Sequence, residues 1–256
     1  MTDIVANFSA QGEVRTSWSK PSQWYNTNSL AVVKLTEELV KREFIEKYIT
    51  SSTPEVYGST ESSIKENHNY KPSTPYASSK LAGDLHLMTL FYRYNFPVVF
   101  TRAANVYGIH QQLYRIIPRA IIYLKKNKII DLHGNGEAIR SFINIKDVIE
   151  ATFKIFTIGT IGEVYHIAPV NAEITINNLV KMICDIMSYD FENSVNRINE
   201  NFGQDSMYSL NSDKLRIRLN WEDKISLENG IEETIKWIND DWDIISKLPH
   251  NYIHKI

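Results

Sequence analysis

The feature that most constrains this chain is an alternation of short apolar runs with proline-started helical patterns in its first hundred residues. Asp3 to Ala10 reads as a short buried strand. Pro21, helped by Ser22 and Gln23, opens a helical pattern that runs to about Arg42, with Leu35 and Leu39 on one face. Tyr48 to Thr53 is strand-like and ends at Pro54. Ser59 to Thr74 is polar, carries Pro72 and reads as a loop. Thr74 and Pro75 then form the N-cap and first position of a second long helix, which passes Leu81, Leu85 and Leu90 and reaches about Asn95. Pro97 to Arg102 is a compact apolar strand. Helices long enough to cross back over a sheet make the strands they join parallel, so an α/β domain with a parallel sheet is predicted.

After about Asn105 the pattern changes. Short strands near 129–132 and 141–143 are mixed with helical stretches at 177–187, 212–218 and 227–239. No internal repeat and no low-complexity tract is present. The organisation predicted is a domain over 1–110 and a smaller mixed α/β lobe over 111–256, with some segments of the second returning to the core. A formal net charge of −2, with both signs spread along the chain, gives no sign of a nucleic-acid surface. Cys184 is the only cysteine, so no internal disulfide is available and a reducing compartment fits. No apolar run approaches the roughly 18 residues of a membrane span, and the opening Met1 to Val5 has no basic n-region before an apolar stretch. A cytoplasmic protein is the expectation.

The most informative spacing is Tyr76-Ala77-Ser78-Ser79-Lys80. Four residues on a helix put both side chains on one face. A free tyrosine, with a pKa of about 10, is a poor base at neutral pH. A nearby ammonium favours the phenolate, and the pair can then take a proton from an alcohol while hydride leaves its carbon. The blander reading is an ordinary pair on an amphipathic helix. Context favours the chemical one, because Pro75 fixes Tyr76 in the first turn, near the sheet edge where parallel α/β proteins bind ligands. The hydroxyls of Ser51, Ser52 and Thr53 end the strand that precedes this helix.

Several motifs together resemble one family. Ser52-Thr53-Pro54-Glu55-Val56-Tyr57-Gly58 resembles a strand-end motif of the nucleotide-sugar 4,6-dehydratases, and Pro72 through Lys80 resembles their Tyr-x-x-x-Lys helix. Arg102 through Gly108 resembles the next strand and turn. Gly134-Asn135-Gly136, Arg140 to Ile143 and Asp147-Val148 resemble the segment carrying a pyrophosphate-binding Arg. Asn7 to Gln11 resembles the strand whose end lies beside nicotinamide, and the close, Trp237 to Trp242, is similar too. The matches run in order over nearly the whole chain. On them the chain resembles the extended short-chain dehydrogenases/reductases of the NAD-dependent epimerase/dehydratase family, most of all the dTDP-glucose 4,6-dehydratases.

The resemblance implies an incomplete Rossmann-like, doubly wound parallel sheet with a substrate-binding lobe, NAD as cofactor and a nucleoside-diphosphate sugar as substrate. It implies that Tyr76 deprotonates the sugar 4-hydroxyl, that Thr53 holds that oxygen, and that Lys80 holds the nicotinamide ribose and lowers the tyrosine pKa. Glu55 would remove the C5 proton, water would leave C6, and hydride would return there. Ser9, Ala10 and Val106 would join Tyr76 and Lys80 at the cofactor. Asn105 and Arg140 would meet the sugar-phosphate. It also implies a homodimer through the helices near 21–42 and 75–95. Glu55 favours a dehydratase over a 4-epimerase, which needs no C5 base; its bland reading is a loop carboxylate.

Three departures stand out. Pro54 occupies the place of an Asp that helps protonate the leaving hydroxyl in the dTDP-glucose enzymes, and proline has no acid and no N–H. Asn201, in Asn201-Phe202-Gly203-Gln204-Asp205, occupies the place of a diphosphate-binding Arg, for which Arg197 is the candidate substitute. No G-x-G-x-x-G run is present, and Gly134-x-Gly136 and Gly159-x-x-Gly162 read as turns. The expectation is that the chain lacks a preceding cofactor-gripping segment on the order of 60–80 residues. Two alternatives to the dehydratase therefore stay open: a catalytically silent chain that binds a nucleotide sugar or a partner protein, and a 4-epimerase or decarboxylase. His250 and His254 are four apart without a third ligand in metal spacing, so no metal is expected. Trp18, Trp24 and Trp221 read as packing residues.

Overall fold

A computed structural model describes residues 3–199 and 206–254. In chain order the elements are β1 (Ile4–Asn7), α1 (Val14–Ser17), α2 (Pro21–Tyr25), a π-helical turn (Asn26–Leu30), α3 (Ala31–Leu39), β2 (Lys47–Ser51), a 3-10 turn (Pro54–Tyr57), α4 (Pro75–Tyr94), β3 (Val98–Ala103) and β4 (Asn105–Tyr107). There follow α5 (Ile116–Lys125), β5 (Ile130–His133), β6 (Ile139–Asn144), α6 (Ile145–Ile158), β7 (Val164–Ile167), β8 (Glu173–Thr175), α7 (Ile176–Met187), α8 (Phe191–Ser194), β9 (Val195–Ile198), α9 (Asp213–Leu219), α10 (Leu227–Asp240) and α11 (Trp242–Ile245).

Four strands form a sheet in the order β1-β2-β3-β7, every pair parallel. Their carboxyl ends therefore lie along one edge, with Asn7 beside Thr50, Ser51 beside Thr101 and Ala103 beside Ile167. The parallel α/β class read from the alternation is the observed one. β4, β6 and β8 make a second sheet, and β5 and β9 a two-stranded third. β3 reads as a continuous apolar run because both its faces are covered: Val98, Val99 and Phe100 are all buried. One apolar cluster lies under α4 and α3, built on Tyr48, Leu87, Val98 and Phe100. A larger one joins α5, α7 and α10 through Ile121, Leu179, Ile183 and Ile231.

The first long helical pattern is broken in a way the leucine spacing does not reveal. It is divided into α2, the π-helical turn and α3, with α1 ahead of it. The turn presents the Asn28 side chain inward, where it accepts from the Gln11 N–H at 2.8 Å and donates to Ser79 at 2.9 Å. The second helix starts as expected: Thr74 accepts from the Ala77 N–H and Pro75 occupies the first position. It ends at Asn95 in the left-handed conformation. Its buried stripe is Ala77, Ser79, Lys80, Gly83, Asp84 and Leu87, and Leu85 is 48% exposed. The side chains it buries near its start are thus small or charged, for reasons that lie in the site. Trp24 and Trp221 are core residues, whereas Trp18 is 55% exposed. Near the other end of the chain, His254 stacks on Trp24 with ring centroids 5.3 Å apart, and Gln11 donates to the Tyr252 hydroxyl at 3.0 Å.

Gly83 marks the closest approach of α4 to the π-helical turn. A Cβ there would lie 2.5 Å from the Asn28 carbonyl oxygen, which is backbone and cannot swing aside. Gly83→Val is expected to cost about 1–3 kcal/mol of stability through overpacking, measured as a lower urea midpoint with an unchanged m-value.

Candidate active site

The carboxyl end of β2 turns at once into the 3-10 turn, and Thr53 caps that turn by accepting from the Glu55 N–H at 3.3 Å. Pro54, buried at the first position of the turn, fixes the bend. The bend puts Thr53 and Glu55 beside Tyr76, the second residue of α4. Thr53 shares a side-chain hydrogen bond with the Tyr76 phenol, and the Glu55 carboxylate is close enough to act on it. Three of the four predicted catalytic side chains therefore meet at the carboxyl edge of the sheet.

Lys80, one turn further along α4, is only 6% exposed and donates to the Ser51 carbonyl at 2.7 Å. Burial lowers its pKa and the Asp84 carboxylate offsets part of that. The Tyr76 phenol is pushed up, first by burial and then by the charge of Glu55, while the Thr53 hydrogen bond and the Arg115 guanidinium pull it back. The sequence reading assigns the lowering to Lys80. In the structure the Arg115 guanidinium acts on Tyr76 in the same sense, and the Lys80 ammonium donates to the Ser51 carbonyl.

A buried ion pair holds these pieces together. Arg102, on β3 and 1% exposed, donates to Asp84 Oδ2 at 3.1 Å. Ser52 donates to the same carboxylate oxygen. The guanidinium also donates to the hydroxyls of Tyr57, at 2.5 Å, and Tyr70, at 3.4 Å, and lies over both rings. Tyr57 in turn meets His166 Nε2 at 2.9 Å. Burial, and then the Arg102 charge, depress the His166 pKa to about 3.

The opposite wall comes from the second half of the chain. Asn105 opens β4, and its side-chain oxygen accepts from the Tyr208 hydroxyl at 2.6 Å. The Arg140 guanidinium lies 4.5 Å over the Tyr208 ring and donates to the Ile139 carbonyl at 2.7 Å. Tyr208 is buried, and its phenol is pushed up by burial, by Glu55 and by Tyr76, while Arg140 and the Asn105 hydrogen bond pull it down. Sequence reasoning missed Tyr208 and Arg115. Tyr208 follows an irregular polar stretch, and Arg115 reads as one more cation before an apolar helix; neither carries a spacing signal.

The remaining candidates are placed less centrally. Ser9 and Ala10 are exposed just beyond the carboxyl end of β1, on the same edge as Thr53. Val106, on β4, accepts at its carbonyl from Gln111 at 2.7 Å. Arg197 is not brought into this group: it lies on β9, paired with Glu192 through two hydrogen bonds of 2.8 and 2.9 Å. It lines a separate open depression of about 610 Å³ with Asn135, Thr175, Asn177 and Asn178. Asn201 to Gln204, with Asp205, lie outside the described residues.

Residues 1–234 match the family model described as GDP-mannose 4,6 dehydratase. The chain belongs to the NAD-dependent epimerase/dehydratase family. It is 34% identical over 244 residues to the dTDP-D-glucose 4,6-dehydratase of Mus musculus, a match covering 92% of this chain and 67% of the mouse protein. The dTDP-glucose 4,6-dehydratase of Haemophilus influenzae is 30% identical, covering 92% of this chain and 75% of the relative. Among solved structures, the NAD-bound dTDP-glucose 4,6-dehydratase DesIV of Streptomyces venezuelae superposes with a TM-score of 0.90 at 28% identity, covering 94% of this chain and 74% of that one. A UDP-glucuronic acid 4-epimerase of Bacillus cereus, with NAD, gives 0.86 at 26%, covering 93% and 76%. The fold is thus Rossmann-like, and the chain is a 4,6-dehydratase-like member of the family.

NAD is the cofactor expected of such a protein, and the residues present fit its nicotinamide-ribose half. A buried ammonium on Lys80, the small exposed residues Ser9 and Ala10, and the Tyr76 phenol share one sheet edge.

Two outcomes follow from the buried network. Asp84→Asn leaves the Arg102 charge without its counter-ion and is expected to cost about 3–5 kcal/mol, read from urea unfolding; an Asp84→Leu, Arg102→Met double variant should recover part of that loss. His166 is held neutral in the folded state, and the unfolded chain takes up its proton at about pH 6.5. The unfolded state therefore binds more protons between about pH 6.5 and about pH 3, and stability falls as pH drops through that window. Unfolding free energies at pH 7 and pH 5 should differ less in His166→Gln than in the parent.

Proposed function

We propose that this chain catalyses the 4,6-dehydration of a nucleoside-diphosphate glucose, with NAD bound at the carboxyl edge of the β1-β2-β3-β7 sheet. The observation that carries the reading is the convergence of Tyr76, Thr53 and Glu55 at one point of that edge. A carboxylate beside the tyrosine is what a dehydratase needs and a 4-epimerase does not.

Each residue has a task set by its surroundings. Thr53 holds the sugar 4-hydroxyl, and Tyr76 takes its proton. The Tyr76 phenol starts with a raised pKa, so the Arg115 and Thr53 contributions that lower it are what bring it toward use as a base. Once C4 is a ketone, the C5 hydrogen is acidic, and Glu55 removes it. When bound, NAD supplies the hydride chemistry, accepting the C4 hydrogen and returning it to C6. Lys80, with Ser9, Ala10 and Val106, holds the nicotinamide ribose side. Asn105 and Arg140 hold the sugar-phosphate, and Arg197, in its separate depression, is the remaining candidate for the nucleotide. Catalysis sits in 1–110 and nucleotide binding mainly in 111–256.

A homodimer through α2–α3 and α4 is part of the same reading, supported by the exposed Leu30, Leu35, Leu85 and Tyr92 along them. No helix among the described residues is long and apolar enough to cross a membrane. The buried thiol of Cys184 suits a reducing cytoplasm.

The test is incubation of the chain with NAD and dTDP-glucose, with the 4-keto-6-deoxy product followed by NMR. Glu55→Gln should slow product formation about 10²–10⁴-fold while still exchanging the C4 hydrogen with the cofactor. Tyr76→Phe should abolish both. An unaffected Glu55→Gln would remove the dehydratase reading in favour of epimerisation. A parent chain that binds dTDP-glucose and turns none of it over would assign the silent, binding role.

A further inference from the structure

Loss of water from C6 needs an acid as well as a base, because hydroxide is a poor leaving group and its departure is assisted by a proton. The strand-end turn does not offer one beside Glu55: position 54 is a buried proline. In the reading above Tyr76 serves the 4-hydroxyl, and Lys80 serves the nicotinamide ribose while also donating to the Ser51 carbonyl. Among the described residues, the O–H that the fold buries between Glu55, Tyr76, Asn105 and Arg140 is that of Tyr208.

We propose that Tyr208 is the acid that protonates the departing C6 hydroxyl. The assignment rests on the dehydration reading above and adds to it the missing half of the elimination. Its hydroxyl is held by a 2.6 Å hydrogen bond to Asn105 Oδ1, and rotation about the C–O bond turns the same hydrogen toward a sugar oxygen. Arg140, 4.5 Å over the ring, is already placed to stabilise the phenolate left behind. Burial keeps the phenol protonated until it is used, and Arg140 and Asn105 are the two groups that oppose this.

The proton count closes. Tyr76 gains one proton from the 4-hydroxyl. Glu55 takes the C5 proton and gives it back to C5. Tyr208 gives one proton to the C6 oxygen as the C6–O bond breaks and the C5–C6 double bond forms, and that oxygen leaves as water. Bound NAD would supply the hydride chemistry that moves the C4 hydrogen to C6 with no net change of oxidation state in the cofactor. At the end Tyr76 holds one proton too many and Tyr208 one too few, so passage of a proton from the first to the second restores both. The two phenols are near enough for the charge of Tyr76 to act on Tyr208.

Tyr208→Phe keeps the ring under Arg140 and removes the hydroxyl, which is both the acid and the donor to Asn105. In a single turnover with NAD and dTDP-glucose, the variant is expected to form NADH within about 3-fold of the parent rate while losing water about 10²–10⁴-fold more slowly, so NADH accumulates. Its affinity for dTDP, measured by calorimetry, should be unchanged. With a 6-deoxy-6-fluoro substrate, whose fluoride leaves with less need of a proton, the deficit should shrink to below about 10-fold. Water loss at the parent rate would overturn the assignment. So would loss of dTDP binding, or an equal deficit with the fluoro substrate, since either gives Tyr208 a structural role. Failure of the underlying reading shows elsewhere, in the unmutated chain, as no NADH or as NADH without loss of water, and it removes this assignment with it.

Discussion

The Arg102–Asp84 ion pair is the interaction on which the site depends. It joins three elements that are distant in sequence: β3 through Arg102, α4 through Asp84, and the end of β2 through Ser52, which donates to the same carboxylate. Burying two charges is costly, and such a pair offsets that cost only when the other hydrogen-bonding positions are also filled. Here they are filled by Ser52, Tyr57 and Tyr70. The geometry that results is specific. With Asp84 anchored, Lys80 one turn earlier must face the Ser51 carbonyl, and Tyr76 one turn before that must face Thr53. Besides the stability lost when one partner is removed, the pair fixes the placement of Lys80 and Tyr76.

That network also explains a helix whose inward face looks unpromising by hydrophobicity. The sequence reading of α4 follows its leucines, yet Leu85 is exposed and the stripe containing Lys80 and Asp84 is buried. Apolar spacing reports which face seeks a greasy partner, and near the carboxyl edge of this sheet the partners are a carbonyl, a hydroxyl and a guanidinium. The start of the helix was legible because capping is local: Thr74 and Pro75 carry their meaning within three residues. Three strands of the parallel sheet, β1, β2 and β3, are legible as short apolar runs, two of them beside a proline; the fourth, β7, is disclosed only by the fold. The division of the first helical pattern at the π-helical turn was not legible either, because it is dictated by Asn28 reaching Gln11 and Ser79, contacts that exist only once the chain is folded.

The site divides along the same line. Tyr76 and Lys80 are legible from their spacing on one helix, Thr53 from its place at a strand end, and Glu55 from the family resemblance of the segment around it. Tyr208 and Arg115 reach the same place from segments with no motif, so only the fold discloses them. The direction of the Tyr76 shift belongs to this class too. Four residues on a helix bring Lys80 to the same face, but the burial and the Glu55 charge that push the Tyr76 phenol up come from the fold.

The contact between Gln11 and Tyr252 spans 241 residues of sequence. Closing a loop of that size has an entropic cost that grows slowly with length, but it delays the contact until nearly all else is in place. The tail from Tyr252 to His254, stacked on Trp24 and touching Gln23, is therefore a late-forming clasp over the segment that leads from β1 toward Tyr76. Native-state opening should begin there, so the polypeptide beside Ser9 and Ala10 is the part of the site whose order is the last acquired and the first given up.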